Sequence, residues 1–358
     1  MKKLLKILGG MLLVVLLAGL LFIGILTVTE YRPLNREVLS EAHQADPVLK
    51  EGDSLTIISQ NCGYGALGDN ADFFMDGGTS VYTADKDRVL SNLSGITETL
   101  AEADADIIFL QEVDIDSSRS YGIDEREYLR NAMDEADESF AYNYNVLYVP
   151  YPIPPIGHVE SGLYTLSRYE FNKAERVSLP CPFKWPIRIA NLKRCLQVMR
   201  IPLKNTEKEL VLVNLHLEAF DNGEGKVAQT RELASFLQAE ADMGNYVIAG
   251  GDFNQVFSNV KNPYPVYKGN WQAGLINVDA FSPGFSFLMD TSEPTCRSLI
   301  KPYAGEDEST FSFYPIDGFI VSDNIKVDSV ETIQKDFVNS DHNPVKITVT
   351  ISESSSSR

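Results

Sequence analysis

Five short polar clusters stand where apolar runs end: Asn61, Gln111-Glu112, Asn214-Leu215-His216, Gly251-Asp252-Phe253-Asn254 and Ser340-Asp341-His342. A strand closing in Gly250-Gly251 and then Asp-x-Asn delivers two oxygen-bearing side chains to a sheet rim. Glycines there leave room for a phosphate to approach the backbone. Alone, Gly-Asp-x-Asn is also an ordinary turn; the weight comes from the other clusters, which together read as one hydrolytic site assembled from many strand ends. Glu112 follows a run of pure hydrocarbon, where a carboxylate is costly unless solvated, paired or bound to metal. Glu112, Asn61, Asp252, Asn254 and Asp341 offer hard oxygens that suit Mg²⁺ or Mn²⁺ better than Zn²⁺. Zinc would call for clustered His or Cys, and the four histidines lie scattered at 43, 158, 216 and 342.

A lone histidine is more often structural than catalytic, so His216 and His342 need company. Asp317, in Ile316-Asp317-Gly318-Phe319, supplies a carboxylate that could orient His342, fix its tautomer and favour the imidazolium. Arg119 is either a bidentate clamp for a second anionic group or a solvated loop residue. His158 and Tyr151, beside the stiff Pro150-Tyr151-Pro152-Ile153-Pro154-Pro155 loop, are weaker candidates for substrate contact.

Elements must position these groups. Alternating or continuous apolar runs predict strands at 55–59, 106–110, 142–148, 162–168, 195–203, 210–216, 246–252, 316–322, 325–333 and 344–351. Helical spacing predicts helices over 85–104, 125–138 and 226–242, the last with Val227, Leu233, Leu237 and Ala241 inward. Short turns join 195–203 to 210–216 and 316–322 to 325–333, which favours mixed or antiparallel sheets over a Rossmann-type sheet. Residues 257–315 read as a long irregular segment.

Residues 7–28 are almost wholly apolar, long enough to span a bilayer, and follow Lys2, Lys3 and Lys6. The positive-inside rule then places residues 1–6 in the cytoplasm and the catalytic part outside, on a single-pass signal anchor at the cell membrane. A cleaved signal peptide is the competing reading. Residues 29–53 read as a linker, 54–351 as the catalytic domain and 352–358 as a disordered tail. The net charge of −19 disfavours a backbone grip on nucleic acid and makes an anionic membrane a poor docking surface. Nothing in the sequence calls for a protein partner. Of four cysteines, Cys181 and Cys195 flank a hairpin-like segment and are the pair to test for a disulfide; Cys62 reads as a core thiol.

Taken in order, these stretches resemble the endonuclease/exonuclease/phosphatase superfamily, the fold of DNase I. Ser161 to Arg168 and Gly250 to Asn254 belong to the match with the clusters above, and residues 55–351 carry it. The resemblance implies a four-layer α/β sandwich of two packed mixed sheets flanked by helices. It also implies roles: Glu112 and Asn61, with Asp341, as metal ligands; Asp252 on the attacking water; Asn254 and Asn214 on the phosphate; His216 and the Asp317–His342 pair on phosphate oxygens. The expected activity is divalent-metal-dependent phosphoester hydrolysis, probed against two alternatives, an extracellular nuclease and a catalytically inactive binding module. Trp185 and the aromatics at 264–271 are the only candidates for contact with lipid.

Overall fold

A computed structural model describes residues 1–39, 48–221 and 223–352. The expected disorder of 353–358 and most of the linker's centre, 40–47, lie outside the described residues.

Among the described residues, four helices and seventeen strands follow one another. Helices are α1 (Lys2–Val28), α2 (Lys86–Ala103), α3 (Arg126–Leu129) and α4 (Glu224–Asp242). The first strands are β1 (Arg36–Val38), β2 (Ser54–Asn61), β3 (Ile107–Asp114), β4 (Asp137–Val149), β5 (Gly157–Ser167), β6 (Lys173–Ser178), β7 (Cys195–Pro202), β8 (Glu209–His216) and β9 (Tyr246–Asp252). Then come β10 (Gln255–Phe257), β11 (Gly274–Ile276), β12 (Phe285–Leu288), β13 (Cys296–Arg297), β14 (Phe313–Tyr314), β15 (Asp317–Ser322), β16 (Ile325–Thr332) and β17 (Val345–Ile351).

Two mixed sheets result. One runs β1-β6-β7-β8-β9-β15-β12 and the other β16-β17-β2-β3-β5-β4. Strand alternation sorts their side chains. Leu55, Ile57, Ile107 and Phe109 from one sheet meet Leu210, Leu212, Ile248 and Phe319 from the other. The opposite faces, through Ile58, Ile108 and Leu110 and through Val211, Val213 and Val247, pack under α2 and α4. These are four layers, helix–sheet–sheet–helix, with the apolar stripes of both helices buried.

Among the described residues, two pairs in the large sheets are parallel, β2 with β3 and β8 with β9, and each is bridged by one long helix. Each βαβ unit sends two carboxyl ends to the same rim, where ligands collect in open α/β sheets. Asn61 and Glu112 come from the first unit, His216 and Asp252 from the second. Asp85 caps α2 by accepting from the Arg88 amide, which fixes where that helix starts.

Several expectations need correcting. The helix expected over 125–138 is the single turn α3 and a 3₁₀ turn; Glu135 adopts φ 53° and β4 starts at Asp137. Strands 317–322 and 325–332 are not partners: after Asp323-Asn324 the chain steps from one sheet to the other. Val227 of α4 points outward and Ala241 is only half-buried, while Leu233 and Leu237 are buried as expected. The linker flanks are structured, with Arg36–Val38 paired to β6 and Leu49 buried. Cys181 and Cys195 form no disulfide; Cys195 is a buried thiol against Asn143, and Cys181 faces the Leu192 carbonyl. The 257–315 stretch carries five short strands or strand ends, paired locally or, for β12, at the sheet edge.

The glycines before Asp252 serve packing. A Cβ on Gly250 would stand 2.5 Å from the Phe319 ring, and one on Gly251, at φ 144°, would stand 2.0 Å from the Leu215 carbonyl oxygen. Gly250→Ala is therefore expected to destabilise the domain by about 1–3 kcal/mol. Chemical denaturation measures this; an unchanged midpoint would contradict the packing role.

Candidate active site

Glu112 is brought into the site by a defect in its strand. The β3–β5 register shifts between Leu110 and Val113, and Glu112 takes φ 53° there. Such a left-handed, non-glycine residue in a bulge costs about 1–3 kcal/mol and re-aims the side chain. Asn61, ending the neighbouring strand, donates from Nδ2 to Glu112 Oε1 and to Asp252 Oδ2, both at 3.1 Å. One amide thus ties together acids from the two sheets. Its Oδ1 accepts from the Gly63 amide at 3.0 Å, which fixes the orientation of the side chain.

Asp252 is buried. The Asn254 amide donates to its Oδ1 at 2.8 Å, which needs Asn254 at φ 51°. His216 Nε2 lies 3.4 Å and His342 Nε2 3.8 Å from Asp252 Oδ2. His342 Nδ1 meets Asp317 Oδ2 at 2.8 Å, the orienting pair expected from the sequence. Burial opposes charge on His342, but the Asp317 carboxylate wins and raises it well above the usual imidazole range. His216 goes the other way: burial, then Arg194 and His342, push it well down, so it is a neutral imidazole. Burial and the nearby Asp317 lift Asp252 to about 7.

Asp341 is buried too, and its Oδ1 has no hydrogen-bond donor among the described residues. Burial raises this group to about 6, with His342 opposing and Glu112 reinforcing. A buried carboxylate oxygen without a donor, beside a second carboxylate, fits a hard divalent cation. Cys296, Asp341 and His342 also lie close enough to share an ion. Burial pushes the Cys296 thiol up to about 12.

The remaining expected residues divide. Asn254 lines the cavity, with its Nδ2 donating to the Leu217 carbonyl at 3.0 Å. Arg119 lines it as well, but it is no solvated loop residue. Its guanidinium forks onto Asp114 at 2.9 and 3.0 Å and stacks 3.7 Å above the Tyr64 ring. Asn214 does not reach the cavity. It is fully buried beneath the floor, donating to Leu110 and Tyr164 carbonyls and accepting from Gln111, and so stitches the two sheets together. Tyr151 lines the cavity, whereas His158 sits outside it, 3.5 Å from Glu160.

Sequence reasoning missed Arg194, whose guanidinium donates to the His216 carbonyl and holds Glu218. It also missed Asp76, which faces the cavity and is lifted to about 7 by burial and the acids at 341 and 112. Arg194 follows Lys193 and not an apolar run, and the run before Asp76, Phe73-Phe74-Met75, is too short to read as a strand.

The cleft has a volume of about 530 Å³, and Glu112, Asp252, His216, Asp341 and His342 all border it. Its walls are largely aromatic and aliphatic, through Phe74, Tyr144, Val149, Tyr151 and Leu192. Two surface hollows of similar size, by Phe281–Leu288 and by Tyr82–Arg88, bring no comparable set of acids and histidines together.

Two packed mixed sheets with a carboxylate–histidine set at their joint rim define a DNase I-like hydrolase. The sequence profile of the endonuclease/exonuclease/phosphatase family matches residues 59–342, and the chain belongs to that family, whose members hydrolyse phosphoesters. Among solved structures, the fold is similar to an endonuclease/exonuclease/phosphatase from Beutenbergia cavernae at 16% identity and TM-score 0.57, covering 84% of this chain and 72% of that one. A Bacteroides vulgatus protein of the same description gives 15% and 0.51, covering 84% and 99%. D. rerio TDP2, solved with a single-strand DNA product, gives 17% and 0.51, covering 83% and 99%. No curated protein matches the chain by sequence.

The Asp317–His342 pair makes a signed prediction. Asp317→Asn removes the group that keeps His342 charged, so burial then lowers that imidazole. Phosphoester turnover should fall about 10²-fold or more. The alkaline limb of its pH profile should move to lower pH, because His342 loses its proton sooner. A pH–rate profile checks both; an unmoved limb would contradict the pairing role.

Proposed function

We propose that this protein is a membrane-anchored, extracytoplasmic, divalent-metal-dependent phosphoesterase acting on a small or lipid-linked phosphoester. The observation that carries this reading is the cleft itself, with acids and histidines on its floor and apolar walls above them. α1 supports the anchor: it is a 27-residue apolar helix, most of whose side chains are exposed, which leaves a bilayer as the natural cover. Lys2, Lys3 and Lys6 at its start favour an extracytoplasmic domain.

Each residue has a task. Asp252, near neutrality in its ionisation, orients a water and accepts its proton as that water attacks phosphorus. His342, held charged by Asp317, donates to a phosphate oxygen as negative charge grows. His216 is a neutral partner, and Asn254 holds a second phosphate oxygen. The chemistry supplied at Glu112, Asn61 and Asp341 is neutralisation of phosphoryl oxygens by a hard cation, Mg²⁺ or Mn²⁺. Arg119 is already forked onto Asp114, which leaves its charge largely spent.

A nuclease is the competing reading, supported by family membership and opposed by charge. Arg194 is likewise occupied, by Glu218, and the chain carries a net charge of −19. Arg297, the third guanidinium on the cleft, is buried against the Gly68 and Ser298 carbonyls, so these residues present no exposed basic track to a phosphate backbone.

The full chain in detergent micelles, with Mg²⁺, is assayed on bis-p-nitrophenyl phosphate, p-nitrophenyl phosphate and plasmid DNA. Hydrolysis of one chromogenic ester, abolished by EDTA and reduced about 10²–10⁴-fold by His342→Ala, is expected. Preferred turnover of plasmid with steep salt dependence would replace the reading with a nuclease. Silence on all three would leave a binding module.

A further inference from the structure

α1 is clamped to the domain. The Phe22 ring stands edge-on to Tyr148 with centroids 6.1 Å apart, and Leu26 is only 5% exposed. Trp185 Nε1 donates to Thr27 Oγ1 at 3.1 Å. Just past the helix, buried Glu30 accepts from Arg188 and pairs with Arg32 and Lys193. These contacts fix the depth of the domain relative to the helix. Phe22 lies six residues before Val28, which is about 9 Å of helical rise. Tyr148 therefore sits beside the apolar span, not above its end.

Tyr148 belongs to the β4–β5 hairpin, and the tip of that hairpin is built for the same surroundings. Between Ser139 and Gly157 the chain has no Asp, Glu, Lys or Arg, in a protein of net charge −19. Leu147, Tyr151 and Ile153 are 48%, 69% and 94% exposed, with Trp185 and Ile187 also exposed on the segment that meets α1. Large apolar side chains clustered in this way mark an interaction surface. The hairpin's other face is the cleft: Tyr144, Val149 and Ile156 line it, and Tyr151 meets Phe74 at 6.0 Å. One hairpin thus touches both the anchor helix and the cavity that holds Asp252 and His342.

We propose that the β4–β5 hairpin is an interfacial wedge set into the outer leaflet beside α1, so that the cleft opens on the bilayer. Its substrate class is then the phosphoester of a membrane lipid, taken from the leaflet that holds the enzyme. This rests on the reading of α1 as a membrane anchor and of the cleft as a phosphoesterase site. The wedge works by apolar insertion, as an acidic body on a membrane requires. The sequence reading overlooked this hairpin as a lipid contact because its prolines masked it as a stiff loop.

The test uses the full chain in phosphatidylcholine vesicles. Ile153→Trp adds a reporter at the tip, read against the parent chain with its Trp185 and Trp271. The added emission should be blue-shifted and quenched by lipids brominated on their acyl chains. Emission typical of water and indifferent to the bromolipid would overturn the wedge, whatever the enzyme hydrolyses. In parallel, Leu147→Ser with Ile153→Ser is assayed on phosphatidylcholine in the same vesicles and on the chromogenic ester in detergent. Lipid turnover should fall about tenfold or more while ester turnover stays within about twofold. Equal turnover of lipid by parent and variant, or none by the parent while the ester is cleaved, would overturn the lipid substrate. Loss of ester hydrolysis in the parent itself would instead count against the phosphoesterase reading, with the quenching result still deciding the wedge.

Discussion

Asp76, Glu112, Asp252 and Asp341 border one cleft, with Asp317 behind His342, and the mutual repulsion of these carboxylates is the constraint that the rest of the site answers. Two unit charges about 4 Å apart interact by about 4 kcal/mol in the effective dielectric near a protein surface. A domain stable by about 5–15 kcal/mol cannot carry several such terms uncompensated. The compensations are visible. Asp317 is matched to a charged His342, and Asn61 spreads one amide over Glu112 and Asp252. Asp252 draws a backbone amide, and among the described residues Asp341 keeps an oxygen free of donors, where a hard cation would fit.

The sandwich exists to make that convergence possible. Two βαβ units, one per sheet, point their carboxyl ends at a common rim, and the apolar interface between the sheets holds those ends in register. Beneath the floor, Gln111 with Asn214 and Thr165 with Gln197 join the sheets by hydrogen bonds. Buried polar groups that bond across the seam in this way favour one alignment of the two layers. A bulge at Glu112 and a left-handed Asn254 then supply the last local turns that regular strands cannot.

Much of this was legible in the chain because strand ends announce themselves: an apolar run stops, and a polar residue follows at the rim. Asn61, Glu112, His216, Asp252 and Asp341 were all found that way, and the structure brings them together. Roles that depend on pairing across the fold were not legible. Gly250 and Gly251 read as room for phosphate, yet they make room for Phe319 and Leu215, neighbours from other strands. Arg119 has Asp114 only five residues away, but the fork depends on a turn that no periodicity marks. Strands 317–322 and 325–332 look like a hairpin from their spacing, and only the packing of two sheets decides that they separate. The helix expected over 125–138 failed because charged residues mimic helical spacing just before the strand period of β4 begins.

Calorimetric titration of Mg²⁺ into the full chain tests most directly whether this crowd of acids is held for a cation. One saturable binding event is predicted in the parent protein. It should be lost in Glu112→Gln and in Asp341→Asn, while His158→Ala, outside the cleft, leaves it intact. Absence of binding in the parent, or binding indifferent to both acidic substitutions, would contradict the account.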